Sequence, residues 1–399
     1  MSQAQPHVAA SPAPAPSGGF RADVQGLRAV AVLLVILAHA GFTGFAGGFI
    51  GVDVFFVISG FVITGLLLRQ PAGRVLHNLR HFYIRRVLRI VPAATAVLVA
   101  TPLVAYALLG KYLDPALLED VRWATLFSAN FRLINTSADY FMQGVEPSLI
   151  THFWSLAVEE QFYFGYPLIV FVLAAVTSQR WRVPTLRVFL ASAVVASALW
   201  GFTLTQTNRV EAYYSPLTRF WELALGGLVA TLPTAWLALR PQLARAMGYA
   251  GVALIALSLV VISPQSNFPG VIAWLPCGAS ALLLYSGREQ LTGSPSLLLA
   301  RQPLRYVGDI SYSLYLWHYV WLVLPLQFET PPTGLTPKLI GIAGAFACAV
   351  VSYHFYENPI RHNRRLQRDG LAVLMILLVC IVLSWDASLL VEQLLHSSS

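Results

Sequence analysis

Apolar stretches close to 20 residues long recur along the whole chain, and they restrict what it can fold into more than any other feature. About 20 apolar residues span a bilayer as a helix, and only 11% of the residues are charged. Because lipid leaves backbone groups no external partner, the spans should be helices. We predict an all-α integral membrane protein, a helical bundle of about eleven transmembrane helices near 24–41, 50–68, 90–109, 153–176, 188–206, 217–232, 248–263, 270–286, 308–327, 338–356 and 370–391.

The basic residues predict the orientation of these spans. With the N-terminus in the cytoplasm, twenty of the 26 Lys and Arg residues fall on the cytoplasmic side, five fall outside, and Arg219 lies within a span. This asymmetry follows the positive-inside rule and places the C-terminus outside the cytoplasm. The net charge of +8 therefore reflects the orientation of the helices in the membrane. We expect the lipid bilayer as a partner and no nucleic acid.

Three regions are expected along the chain. Residues 1–19 are rich in Pro and Ala and predict a disordered tail. Residues 20–368 form the main transmembrane domain, and 369–399 add one helix and a short extracytoplasmic tail. An extra helix that leads to so short a tail suggests that an external domain is missing. The three cysteines lie in apolar spans without metal-ligand spacing, so neither a metal nor a disulfide framework is expected.

His39 is the first candidate for chemistry, because titratable groups within a membrane are costly and mark functional sites. Arg28 precedes it by 11 residues, which is about three helical turns, so both should face one side of the helix about 16 Å apart. Asp53 follows a tight loop and could orient the imidazole. Two plainer interpretations stay open: a polar pair that holds helices together, and an acid that interacts with a helix dipole.

Arg85, Arg86 and Arg89 cluster at the cytoplasmic start of the third span. Most such clusters anchor a helix at the membrane surface. Arginine also offers forked donors that suit phosphate, so the cluster could capture the phosphates of a cytosolic donor.

The segment THFWSLAVEEQFYFGYP carries several further candidates. Glu159 and Glu160 diverge by about 100° on a helix, so we do not expect both to face one site. His152 could belong to the same cluster, and Tyr163 could contact substrate or support the site. Interfacial helix packing is the alternative for this segment.

Two later segments complete the candidates. Arg219 and Glu222 are three residues apart and could pair across one helical turn. His318 lies in ISYSLYLWHYV, where the surrounding aromatic residues are typical of a membrane interface or a core.

Seven stretches in order resemble the acyltransferase-3 family of membrane-bound acyltransferases, which includes bacterial O-antigen O-acetyltransferases. The stretches run from about residue 20 to 362 and are DVQGLRAVAVLLVILAHAG, GGFIGVDVFFVISGFVITGLLL, YIRRVLRIVPA, FWSLAVEEQFYFGYPL, RFWELALGGLVA, GDISYSLYLWHYV and YENPIR.

The resemblance implies a ten-helix core in the bacterial cytoplasmic membrane, a cytoplasmic acyl-CoA donor, usually acetyl-CoA, and an extracytoplasmic glycan or glycolipid acceptor. It places the family's Arg and His pair on Arg28 and His39. Its arginine motif falls on Arg85, Arg86 and Arg89, and its acidic element falls on Glu159 and Glu160. Many members continue through an eleventh helix into an external SGNH-type domain, and we expect such a domain to be missing from this sequence.

We therefore expect an O-acyltransferase in which the three arginines bind the donor's phosphates. His39 would act as general base or as acyl-accepting nucleophile, with Asp53 or Glu160 orienting or charge-balancing it. A proton-coupled transporter or flippase is the alternative, and would use the same His and acids as a proton relay.

Overall fold

The computed structural model is all-helical over the residues that it describes, with no β-strand among them. The described residues are 21–70, 74–141, 147–233, 235–238 and 240–398. The predicted disordered tail at 1–19 lies outside them.

Eleven helices of 13 or more residues lie within the described part, one for each predicted span. We number them in chain order: α1 (Ala22–His39), α2 (Gly51–Leu68), α3 (Val75–Leu109), α4 (Phe153–Val176), α5 (Arg182–Thr207), α6 (Pro216–Thr231), α7 (Pro241–Val261), α8 (Trp274–Ser286), α9 (Ser311–Val323), α10 (Leu335–Ser352) and α11 (Gly370–Ser398).

Eight of the eleven helices are long and apolar enough to cross a membrane. The other three are α6, α8 and α9, with 16, 13 and 13 residues. Short helical turns lengthen two of them: Val271–Ala273 and Gly287–Glu289 flank α8, and Leu324–Gln327 follows α9.

The helices form an inner group and an outer ring. Large apolar side chains on α5, α10 and α11, such as Leu199, Ile340 and Leu378, are about half exposed. A soluble protein would bury such a surface, so it is where lipid contacts the bundle. The inner helices α2 and α6 pack so closely that a Cβ added at Gly60 would lie 1.8 Å from the Leu223 carbonyl oxygen.

Two ends of the bundle can be distinguished by their side chains. Arg21 precedes α1, Arg69 follows α2, and Arg86 lies in the first third of α3, and all three line one cavity. We call this the arginine end. His39 is the last residue of α1 and His152 directly precedes α4, and we call their side the histidine end.

Candidate active site

A cavity of about 880 Å³ opens at the arginine end. It is strongly basic, because two carboxylates, Glu159 and Glu160, stand against eight arginines. The arginines come from segments far apart in the chain and are Arg21, Arg28, Arg69, Arg85, Arg86, Arg89, Arg288 and Arg361. Charges of one sign that line a cleft with low-dielectric walls create a strong local potential, here one that attracts anions.

The predicted arginines lie where a bound anion could reach them. Within the described ranges, Arg28, Arg86 and Arg89 make no ion pair with a carboxylate. The Arg86 guanidinium carbon lies 3.5 Å from the centre of the Tyr163 ring, a cation–π contact. Arg85 is more exposed and contacts the His81 ring. The structure thus brings together Arg28, Arg85, Arg86 and Arg89, whereas the fifth candidate arginine, Arg219, lies outside this cavity.

Glu159 and Glu160 both line this cavity, so the expectation that they would not share a site is wrong. Their helical divergence holds, but the cavity is wide enough to extend around α4 between α2 and α3. Glu159 accepts hydrogen bonds from the hydroxyls of Ser59 and Tyr163. The Tyr163 hydroxyl therefore helps to hold the Glu159 carboxylate in place.

His39 lies in a second group of side chains, outside the cavity lining. Its Nδ1 is 3.1 Å from Nε2 of His318, and its Nε2 is 2.7 Å from the hydroxyl of Tyr140. The Tyr319 ring meets the imidazole edge-on, at 4.9 Å between ring centres and an 84° interplanar angle. The His39 residue as a whole is partly exposed. The hydrogen bonds to its two nitrogens and the contact with the Tyr319 ring fix the orientation of the imidazole.

His152 belongs to this histidine group, whereas the sequence suggested the acidic cluster. Its ring stacks on Tyr319 at 4.8 Å and lies 5.5 Å from the His318 ring. Its Nε2 lies 3.1 Å from the carbonyl oxygen of Leu316, to which it donates. His152 therefore stabilises the wall around His318.

A thin partition separates the cavity from the histidine group. Ser155 and Tyr315 line the cavity, and their hydroxyls are 2.6 Å apart. The Tyr315 hydroxyl also donates to the His152 carbonyl at 3.1 Å, and the Tyr315 carbonyl contacts Nδ1 of His318 at 2.6 Å. Tyr315 thus lines the cavity and also contacts the histidine group, with its side chain on His152 and with its backbone on His318.

Asp53 does not orient His39, which corrects the sequence-based hypothesis. It lies in the first turn of α2, and its Oδ1 accepts a hydrogen bond from Nη2 of Arg219 at 2.9 Å. Arg219 also pairs with Glu222 at 3.0 Å, which confirms the predicted contact across one turn. Both nitrogens of His39 have other partners, and Glu160 lines the cavity, so neither acid makes the expected contact.

This buried ion-pair group could be mistaken for a metal site. Ligand atoms of Asp53, Glu222 and Cys277 lie within 4.8 Å of one another. The Arg219 guanidinium, itself fully buried, already supplies the cation between the two carboxylates. A metal ion would have to displace that charge, so the donor set does not fit a metal.

Two groups of residues at these sites were not identified from the sequence. Tyr140 lies in the long segment between α3 and α4, where no helical period points to it. Arg21, Arg288 and Arg361 were counted as cytoplasmic anchors, which is what most arginines beside membrane spans are. Only the folded arrangement places them at one cavity.

Comparison with known proteins decides the family. The profile of the acyltransferase-3 family, described as an acyltransferase domain, matches residues 21–385. The chain belongs to the acyltransferase-3 family. It is therefore an acyltransferase by class of enzyme, and its apolar helices make it a multi-pass membrane protein. No solved structure gives a significant match to this acyltransferase.

Curated relatives of the acyltransferase are named as O-acetyltransferases, two of them as peptidoglycan O-acetyltransferases. One is the peptidoglycan O-acetyltransferase OatA of Listeria monocytogenes, 30% identical over 86% of this chain and 56% of its own length. The putative peptidoglycan O-acetyltransferase YrhL of Bacillus subtilis is 31% identical over 85% and 54%. The O-acetyltransferase OatA of Staphylococcus aureus MRSA252 is 29% identical over 93% and 64%. The chain thus spans between 54% and 64% of the length of these relatives.

Proposed function

We propose that this acyltransferase moves an acetyl group from cytoplasmic acetyl-CoA to a hydroxyl of an extracytoplasmic cell-envelope glycan. The observation that carries the proposal is the pairing of a basic cavity with a histidine group, on opposite sides of the Ser155–Tyr315 partition. A polyanionic donor and a hydroxyl acceptor would then approach from opposite ends of the bundle. The names of the relatives favour peptidoglycan as the acceptor.

The cavity supports a donor that carries several phosphates, as CoA does. Arginine binds phosphate through two parallel hydrogen bonds, and such charge-assisted bonds are among the strongest in proteins. Arg86 and Arg89 lie on one helix, with Arg28 on another wall of the cavity. In our proposal these three hold the phosphates, while the thioester extends towards the partition.

His39 is the group proposed to carry the chemistry. As general base it takes the proton of the acceptor hydroxyl while that oxygen attacks the thioester carbon, and the C–S bond then breaks to release CoA thiolate. As nucleophile it would first form an acyl-imidazole, which the hydroxyl then attacks. In both routes Tyr315 and Ser155 must move apart, because their contact closes the cavity short of His39.

The topology belongs to the same proposal. We propose that all eleven helices cross the bacterial cytoplasmic membrane, with the arginine end in the cytoplasm. The uneven distribution of Lys and Arg supports this orientation. An external domain carried by a longer chain or a separate protein would complete delivery to the wall.

Transfer of radiolabelled acetyl from acetyl-CoA tests the proposal in proteoliposomes, with an oligosaccharide of alternating N-acetylglucosamine and N-acetylmuramic acid as acceptor. We expect His39→Ala to lower the rate at least 100-fold, about the contribution of a general base. His362→Ala, an exposed histidine outside the site, is the matched control and should transfer normally. Full activity of His39→Ala would refute the assignment. A requirement for a proton gradient without acetylated product would instead support the transporter alternative.

The donor site has its own test. Arg89→Gln should raise the KM for acetyl-CoA about tenfold or more, since a hydrogen bond to a charged group contributes about 1.5–3 kcal/mol. Arg74→Gln, an exposed arginine outside the cavity, should leave the KM unchanged. With acetyl-pantetheine, which has no phosphate, the two variants should behave alike. An Arg89 effect that persists with this short donor would show that Arg89 does not bind the phosphates.

A further inference from the structure

We propose that His318 is a positioning residue that keeps the proton of His39 on Nδ1 and so leaves Nε2 unprotonated at the histidine end. The inference rests on the proposed function of His39 and identifies the nitrogen that reacts. It replaces the carboxylate that the sequence suggested with a neutral histidine from α9.

The chain of hydrogen bonds begins at a backbone carbonyl. Nδ1 of His318 lies 2.6 Å from the carbonyl oxygen of Tyr315. A carbonyl can only accept, so Nδ1 must carry the hydrogen. A neutral imidazole has a single N–H, and Nε2 of His318 is therefore a hydrogen-bond acceptor.

The contact between His318 and His39 then determines which nitrogen of His39 carries the proton. Nδ1 of His39 lies 3.1 Å from the accepting Nε2 of His318, so it must donate and carry the proton. Nε2 of His39 is then left with a lone pair, and the Tyr140 hydroxyl donates to it at 2.7 Å. The result is a chain of three hydrogen bonds from Tyr140 to the Tyr315 carbonyl, with one donor and one acceptor in each.

The surroundings support a neutral chain. In the part of the chain that the structure describes, no carboxylate forms an ion pair with His39 or His318. His318 and Tyr319 are buried, and Tyr319 holds the His39 ring edge-on. A second histidine therefore fixes the direction of the hydrogen bond without adding a negative charge.

This assignment has a consequence for the transfer step. Nε2 is the atom that takes the proton from the acceptor hydroxyl, as that oxygen bonds to the acyl carbon and the C–S bond breaks. The acceptor hydroxyl then occupies the place that the Tyr140 hydroxyl holds in the structure. After the step, His39 carries protons on both nitrogens and still donates from Nδ1 to His318, which stabilises the imidazolium.

Another acceptor near His39 makes the proposal testable. The carbonyl of Val35, four residues earlier on α1, also interacts with the His39 ring. If that carbonyl alone holds the proton on Nδ1, His318 is dispensable. The matched variants are His318→Gln, whose amide oxygen can still accept from Nδ1, and His318→Leu, which cannot accept.

Two measurements on the full chain in nanodiscs separate the outcomes. The first is acetyl transfer: His318→Leu should lower kcat about 100-fold with little change in the KM for acetyl-CoA, whereas His318→Gln should stay within about tenfold of the original chain. In the His39→Ala background, His318→Leu should have no further effect. Equal activity of the Gln and Leu variants, or a full additional loss without His39, would overturn the proposal.

The second measurement needs no acyl donor. Diethyl pyrocarbonate modifies an unprotonated imidazole nitrogen, and peptide mass spectrometry follows the rate at His39. We expect similar rates for the original chain and His318→Gln. His318→Leu should react severalfold more slowly, because part of its His39 population then carries the proton on Nε2 and leaves unprotonated only Nδ1, which faces the buried position 318. Unchanged labelling in His318→Leu would refute the positioning role. If His39→Ala still transferred acetyl while the labelling followed this pattern, the catalytic role proposed for His39 would fail and the positioning inference would stand.

Discussion

Single residues show where sequence reasoning reached its limit. His39, His318 and Asp53 were each identified as candidates because a polar group in an apolar segment stands out. Their partners could not be identified, since helical periodicity relates only residues on the same helix. His39 and His318 are 279 positions apart, and Asp53 and Arg219 are 166 apart. The chemically plausible pairing of Asp53 with nearby His39 was therefore wrong.

The buried ion-pair group yields a prediction about stability. Arg219→Met should lower the free energy of unfolding by about 3–5 kcal/mol, because Asp53 and Glu222 would then be buried without a cation. Asp53→Asn should lower the free energy of unfolding by less, since Arg219 still pairs with Glu222 at 3.0 Å. Thermal unfolding in detergent micelles measures both variants. Equal shifts would show that the two carboxylates do not share the arginine.

Whole helices were predicted far better than their contacts. Hydropathy located all eleven helices, because burial in lipid or in the bundle requires an apolar segment. It could not show that α6, α8 and α9 are short, since their surroundings are set by the other helices. Nor could it show that one cavity would reach both Glu159 and Glu160, because the shape of the space beside α4 depends on α2 and α3.

The contact between α2 and α6 leads to a second prediction. Gly60→Ala would place a methyl group against the backbone of Leu223, at 1.8 Å from its carbonyl oxygen, so the two helices must separate. Overpacking of this kind costs about 1–3 kcal/mol or more. Gly65→Ala is the control on the same helix, because its added methyl group meets no atom within 4 Å.

Thermal unfolding of the two alanine variants tests whether α2 and α6 are closely packed at Gly60. We expect Gly60→Ala to unfold at a clearly lower temperature than the original chain. Gly65→Ala should be unchanged or slightly more stable, since alanine favours a helix over glycine by about 1 kcal/mol. Identical unfolding of the two variants would mean that α2 and α6 are not closely packed at Gly60.

At the scale of the whole molecule, the sequence predicted the uneven distribution of basic residues between the two ends but not the cavity. The uneven distribution of basic residues was visible from the sequence alone, and it indicated which end should face the cytoplasm. Eight of those arginines line a single cavity, which depends on the packing of many distant segments. The same residues can therefore both orient the chain and form the donor site.

The orientation can be tested with two new cysteines on opposite ends. Ser178 lies between α4 and α5 at the arginine end, Thr333 lies between α9 and α10 at the histidine end, and both are exposed. With a membrane-impermeant maleimide on intact spheroplasts, Thr333→Cys should be labelled and Ser178→Cys should not. After permeabilisation both should react. The original chain is the control, because Cys277 and Cys380 are buried and Cys348 is partly buried. Labelling of Ser178→Cys in intact cells would place the arginine end outside, where cytoplasmic acetyl-CoA could not reach the cavity.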